Sequence, residues 1–206
     1  MDKRVSNYEI TKHMMQEKFA SYDLSDICRE WELTPTDSGA VLTLLARQYY
    51  VDRKSGAVLQ EKDGILKEAD HNVSMTLFDI LTRRRQCASG EMVSVSSLSP
   101  MHLSNETSLF APTAKTFEHR CSELAAACEN LGGISYGKGD VCYLLPVFRD
   151  LSVAVSFWDS DDEFGPQLSF LCDRNILCFM HYETMMFLLC HVADRLKELI
   201  EAFRAE

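Results

Sequence analysis

The amino-acid sequence predicts an α+β fold for residues 1–206, a single domain in which helices pack on an antiparallel β-sheet. Three strand-like apolar runs near the C-terminus are joined by short turns, and strands connected in this way must pair antiparallel. A helix with one apolar stripe follows them and needs an apolar surface to cover. Strand patterns and helix patterns occupy separate stretches of the chain, which is typical of α+β proteins.

The N-terminal third predicts two helices, then a strand and a hairpin. Apolar residues recur at helical spacing in residues 7–19 and again in residues 25–31, where Ser25 is the expected N-cap. A segment rich in turn-forming residues follows. The predicted strands are residues 40–45, 49–52 and 57–60.

The middle of the chain predicts two longer helices. The first spans about residues 73–85, and the three arginines 83–85 in its last turn complement the C-terminal end of the helix dipole. A short strand is predicted at residues 92–95, and residues 101–114 show little pattern. The second helix covers residues 114–130 and is ended by a pair of glycines.

The last third predicts three strands and a closing helix. The strands are residues 141–148, 151–158 and 168–172, with turns at residues 149–150 and 159–166. The apolar stripe of the closing helix consists of Met186, Leu189, Ala193, Leu196, Ile200 and Phe203.

Composition narrows the function classes. A formal net charge of −10 and an isoelectric point near 5.1 argue against a nucleic-acid partner, because phosphate binding needs a basic face. No run approaches the ~18 apolar residues of a membrane span, and the polar N-terminus does not resemble a secretion signal. The sequence therefore predicts a cytoplasmic protein without membrane contact, whose eight cysteines are reduced thiols.

The cysteines and histidines show no metal-binding spacing. Cys172 and Cys178 lie six residues apart and Cys121 and Cys128 lie seven apart, whereas zinc and iron–sulfur motifs use C-x-x-C pairs. The favoured interpretation is that these thiols are small core side chains. His181 and the histidine ten residues later are about 80° apart around a helix, so that helix cannot present both to one metal ion.

The acidic segment after Trp158 is the candidate binding site. Asp161, Asp162 and Glu163 lie in a predicted hairpin turn, and the plainest explanation is a solvated turn that discourages edge pairing between molecules. The alternative is that these carboxylates and the Trp158 ring form a surface for a cationic partner or for a hard metal ion such as Mg²⁺ or Ca²⁺.

The last third also contains a set of short motifs: Gly139-Asp140, Leu145-Pro146, Phe157-Trp158, Asp162-Glu163-Phe164, Pro166 and Tyr182-Glu183. This pattern resembles the bacterial and archaeal family catalogued as domain of unknown function 3786, whose biochemical role is unassigned. Asp79-Ile80 departs from that family, which has a His-Tyr pair there, and Arg149-Asp150 replaces a Pro/Gly turn. The candidate binding residues from the acidic turn and these motifs are Trp158, Asp161, Asp162, Glu163, Tyr182 and Glu183.

The favoured functional hypothesis is a non-catalytic cytoplasmic binding or accessory domain for a protein partner or a small ligand. The resemblance implies an association with iron–sulfur or corrinoid proteins of anaerobic metabolism, so any cofactor would be shared or visiting. One alternative is a metal-dependent enzyme in which Asp161, Asp162 and Glu163 act with His181 across a cleft. Another is a homo-oligomer assembled through a methionine-rich helix face.

Overall fold

The computed structural model describes residues 7–62, 64–99 and 106–204, which form two compact units. The first unit comprises the described chain up to Gln86 together with Cys178–Leu188, and the second comprises Cys87–Leu177 together with the chain from Leu189 onward. Across these residues there are eight helices and two five-stranded antiparallel sheets, which confirms the α+β class. One sheet was expected, and each unit contains one. That the whole chain folds as a single domain stays a prediction.

The helices of the first unit are α1 (Asn7–Ala20), α2 (Leu24–Trp31) and α3 (His71–Leu81). The prediction that Ser25 caps α2 is wrong. The N-cap is Asp23, whose carboxylate accepts a hydrogen bond from the Ser25 N–H. Helix α3 ends before the three arginines, not beyond them. The hydroxyl of Thr82 donates to the carbonyl of Phe78 at 2.8 Å, and the chain leaves the helix at that point.

The sheet of the first unit runs in chain order, β1-β2-β3-β4-β5. Its strands are β1 (Thr34–Pro35), β2 (Gly39–Leu44), β3 (Arg47–Asp52), β4 (Val58–Lys62) and β5 (Ile65–Glu68). Leu45 was expected in a strand, but Leu45 and Ala46 both have positive φ and form the two-residue turn of a hairpin. Strands β1 and β5 were not predicted, since β1 has only two residues and β5 is exposed along its whole length.

The turn between β3 and β4 holds the hairpin against α1. The Asp52 carboxylate accepts hydrogen bonds from the N–H groups of Lys54 and Ser55 at 3.1 and 2.7 Å. Gly56 has φ +70°, and a Cβ on it would lie 2.3 Å from the carbonyl oxygen of Gln16 in α1. Only glycine therefore fits this contact without movement of the backbone.

The sheet of the second unit has the order β6-β10-β9-β8-β7. Its strands are β6 (Met92–Ser94), β7 (Ile134–Ser135), β8 (Val141–Phe148), β9 (Leu151–Trp158) and β10 (Gln167–Asp173). The predicted strands 141–148 and 151–158 coincide with β8 and β9, and the antiparallel pairing of β8, β9 and β10 is confirmed. A register shift between Pro146 and Phe148 marks a β-bulge in β8.

Three helices belong to the second unit alone, α4 (Val95–Leu98), α5 (Glu106–Phe117) and α6 (Cys121–Asn130). The single helix predicted for residues 114–130 is wrong, because the chain breaks at His119, which has φ +59°. The described part of the unpatterned stretch, from residue 106, is the start of α5, and residues 101–105 lie outside the described residues. Helix α5 packs on β10, where the rings of Phe110 and Phe170 are 4.7 Å apart.

The end of β10 is fixed by a buried carboxylate. Asp173 is 2% exposed, and its oxygens accept hydrogen bonds from the backbone N–H groups of Ser89, Gly90 and Asn175 and from the Ser89 hydroxyl. Burial disfavours the charged form, but these donors together hold the pKa of Asp173 below its ordinary value. The loop before β6 is therefore tied to the end of β10 by one ionised side chain.

Two further helices follow β10, α7 (Ile176–Phe179) and α8 (Tyr182–Ala202). Residues 182–188 of α8 belong to the first unit and residues 189–202 to the second. Of the predicted apolar stripe, Phe203 lies beyond the end of α8 and is exposed, whereas four members are buried: Leu189, Ala193, Leu196 and Ile200. None of the helices in the described ranges combines the length and apolar character that crossing a membrane would require.

Candidate functional site

An open pocket of about 820 Å³ lies in the second unit, at the end of the β8–β9 hairpin. We call it the acidic-aromatic pocket, and its defining residues are Asp140, Trp158, Asp159, Asp161 and Phe164. Cys121, Ser160, Gly165 and Gln167 complete its lining. The nine lining residues thus include three aspartates and two aromatic residues, and neither lysine nor arginine.

The hairpin register brings Asp140 to Trp158. Val141 of β8 pairs with Phe157 of β9. Because the two strands are antiparallel, the residue before Val141 lies opposite the residue after Phe157, which sets Asp140 opposite Trp158. Gly139 makes this close approach possible, because its φ is +144° and a Cβ there would lie 2.9 Å from the carbonyl oxygen of Phe157. Trp158 ends β9 with 48% of its surface exposed.

The Asp159 carboxylate is hydrogen-bonded to backbone N–H groups. It accepts hydrogen bonds from the N–H of His119 at 2.9 and 3.1 Å and from the N–H of Ser160 at 2.8 Å. The break between α5 and α6 supplies the His119 N–H, and the His119 ring lies 3.5 Å away. Partial desolvation opposes ionisation, but these donors and the nearby His119 hold the pKa of Asp159 below its ordinary value.

Asp161 shapes the turn that carries Phe164. Its Oδ1 accepts hydrogen bonds from the N–H groups of Glu163 at 2.8 Å and of Phe164 at 2.7 Å. Its own N–H donates to the carbonyl of Phe164 at 2.9 Å. The two donors to the carboxylate lower the pKa of Asp161. The turn leaves the Phe164 ring 61% exposed on the pocket wall.

Two of the side chains that line the pocket, Asp140 and Asp161, each have one carboxylate oxygen that the described part of the fold leaves without a hydrogen bond. Asp140 accepts the Asp159 N–H through Oδ2 at 2.8 Å, and Asp161 uses Oδ1 for its turn. Within the part of the chain that the structure describes, Asp140 Oδ1 and Asp161 Oδ2 have no hydrogen-bond partner. The pocket therefore presents negative charge that the fold itself does not neutralise.

Cys121 lies at the pocket as a protonated thiol. Desolvation raises its pKa, and the adjacent negative charges of Asp159 and Asp140 raise it further. Its sulfur is 3.7 Å from Asp159 Oδ2, consistent with a weak S–H donor. Since the thiolate is the nucleophilic form, this environment opposes covalent catalysis by Cys121.

The geometry does not assemble a metal site from these carboxylates. Among the described residues, no group of three or more histidine, cysteine, aspartate and glutamate side chains is placed to hold a metal ion. Asp162 and Glu163 are exposed but do not line the pocket. Asp161 uses one carboxylate oxygen to accept hydrogen bonds from backbone N–H groups of its own turn.

His181, Tyr182 and Glu183 lie in the first unit, whereas the acidic turn lies in the second. His181 precedes α8, and its backbone N–H and its ring Nδ1 lie 2.7 and 2.8 Å from Oδ2 of Asp79. Arg83 donates through Nε to Oδ1 of the same carboxylate at 2.9 Å. Burial opposes ionisation, but these bonds hold the pKa of Asp79 below its ordinary value. Asp79 thus anchors the start of α8.

The acidic-aromatic pocket contains some of the residues singled out from the sequence and not others. Of the six candidate binding residues, Trp158 and Asp161 line the pocket, whereas Asp162, Glu163, Tyr182 and Glu183 do not. The residues that sequence reasoning missed are Cys121, Asp140, Asp159, Phe164 and Gln167. Asp140 and Phe164 belong to motifs that carry the family resemblance, and pairing of the two predicted strands around their turn would have pointed to Asp140.

The fold and the pocket together define an α+β protein with two antiparallel sheets and a carboxylate-rich surface pocket. A family model described as Domain of unknown function (DUF3786) matches residues 23–195, and the chain belongs to this family. This confirms the resemblance drawn from the motifs. Comparisons with curated proteins and with solved structures gave no match.

Proposed function

We propose that the protein is a non-catalytic binding or accessory domain whose acidic-aromatic pocket holds a cationic group of a partner protein. The observation that carries the proposal is the pair of open carboxylate oxygens, Asp140 Oδ1 and Asp161 Oδ2, in a pocket that Trp158 also lines. A cation entering the pocket gains charge-assisted hydrogen bonds from the carboxylates and a cation–π contact from the ring.

Electrostatics favour a cationic partner over an anionic one. The chain carries a formal net charge of −10, and neither lysine nor arginine is among the described residues that line the pocket. A negative field of this kind raises the association rate of cationic partners and weakens as salt is added. Binding through the pocket should therefore be strongly salt-dependent.

The ionisation of the pocket groups favours binding over proton transfer. General acids and bases work best with a pKa near the working pH, whereas the pKa values of Asp159 and Asp161 are both lowered. The thiol of Cys121 is shifted away from its reactive form. These directions support a fixed anionic surface.

The partner class follows from the family resemblance. We propose an iron–sulfur or corrinoid protein of anaerobic metabolism as the partner, in the cytoplasm, with the cofactor held by that protein. The eight cysteines of this chain lack cluster-binding spacing, so the present protein would recognise the partner's surface.

Isothermal titration with a lysine- and arginine-rich decapeptide tests the proposal. Asp140→Asn/Asp161→Asn removes two charges from the pocket, and the amide oxygens can still accept the backbone hydrogen bonds. The matched control Asp162→Asn/Glu163→Gln removes two charges from the same turn outside the pocket. We expect the pocket variant to weaken binding by about tenfold or more and the control to weaken it much less. Equal losses in the two variants, or no binding to the wild type, would refute a cation site in this pocket.

A further inference from the structure

We draw no further inference here: the strongest candidate, the open pocket of about 510 Å³ that α1, the β3–β4 turn and β5 line in the first unit, carries none, because its charged lining residues are exposed side chains of both signs and nothing in the structure shows what ligand they would bind.

Discussion

The carboxylate of Asp140 accepts a hydrogen bond from the backbone N–H of Asp159 at 2.8 Å. This bond joins the start of β8 to the residue that follows β9, so it closes the open end of the hairpin. The bond uses one oxygen of Asp140, a residue that also lines the acidic-aromatic pocket. The same side chain therefore supports the turn and offers charge to a ligand.

Trp158 should matter for binding and little for folding. The ring is 48% exposed, so Trp158→Ala should lower the free energy of unfolding by less than about 1 kcal/mol while weakening the binding of the lysine- and arginine-rich decapeptide several-fold. Trp31→Ala is the contrast, because a fully buried ring costs about 3–5 kcal/mol when it is truncated. Urea unfolding measures both. A large loss of stability in Trp158→Ala would mean that the ring is a core residue.

Asp173 should be essential to the stability of the second unit. Asp173→Ala leaves three backbone N–H groups and one hydroxyl without their acceptor, and we expect a loss of about 2–4 kcal/mol. Asp162→Ala, in the exposed acidic turn, should leave the urea midpoint unchanged. If the two variants unfold at the same urea concentration, the hydrogen bonds of Asp173 contribute no net stability.

Gly56 and Gly64 form a matched pair for backbone strain. Both have positive φ, +70° and +73°, but a Cβ at Gly56 would meet the α1 backbone at 2.3 Å, whereas nothing lies within 4 Å at Gly64. Gly64→Ala should cost about 1 kcal/mol from conformation alone, and Gly56→Ala clearly more. Thermal melting compares the two variants. A melting temperature of Gly56→Ala at or above that of Gly64→Ala would contradict the packing of the hairpin on α1.

The anchor at Asp79 predicts the acid sensitivity of the first unit. Its folded pKa is lowered below the ordinary value of 3.8, so its stabilising contribution is complete above that value and is lost as the pH falls through the folded pKa. The difference in unfolding free energy between wild type and Asp79→Asn should therefore shrink on acidification. Urea unfolding over a pH series from about 6 to about 2 measures it. A difference that grows toward low pH would contradict the direction of the shift.

The hairpin at the pocket illustrates what the sequence could specify. The apolar runs and their short turn predicted β8 and β9 with the correct bounds. Counting back from the turn alone pairs Asp140 with Asp159, but the bulge between Pro146 and Phe148 shifts the register by one and sets Asp140 opposite Trp158. A bulge is decided by packing on both faces of the sheet, so local patterning could not supply it.

The break at His119 shows a second limit. Phe117 and Leu124 are both buried, so the apolar spacing continues across the break and predicted one helix. The actual chain turns at His119, where the Asp159 carboxylate accepts its N–H from 40 residues away. Such a contact rests on tertiary structure, and without it neither Asp159 nor Cys121 could be assigned to the pocket.

The most direct test of the central claim is a crystal structure of the protein with the lysine- and arginine-rich decapeptide bound. We predict a side-chain cation of the peptide in the acidic-aromatic pocket, within hydrogen-bond distance of Asp140 Oδ1 and Asp161 Oδ2 and against the Trp158 ring. Peptide bound at another surface, with this pocket empty, would contradict the claim that the pocket is the binding site.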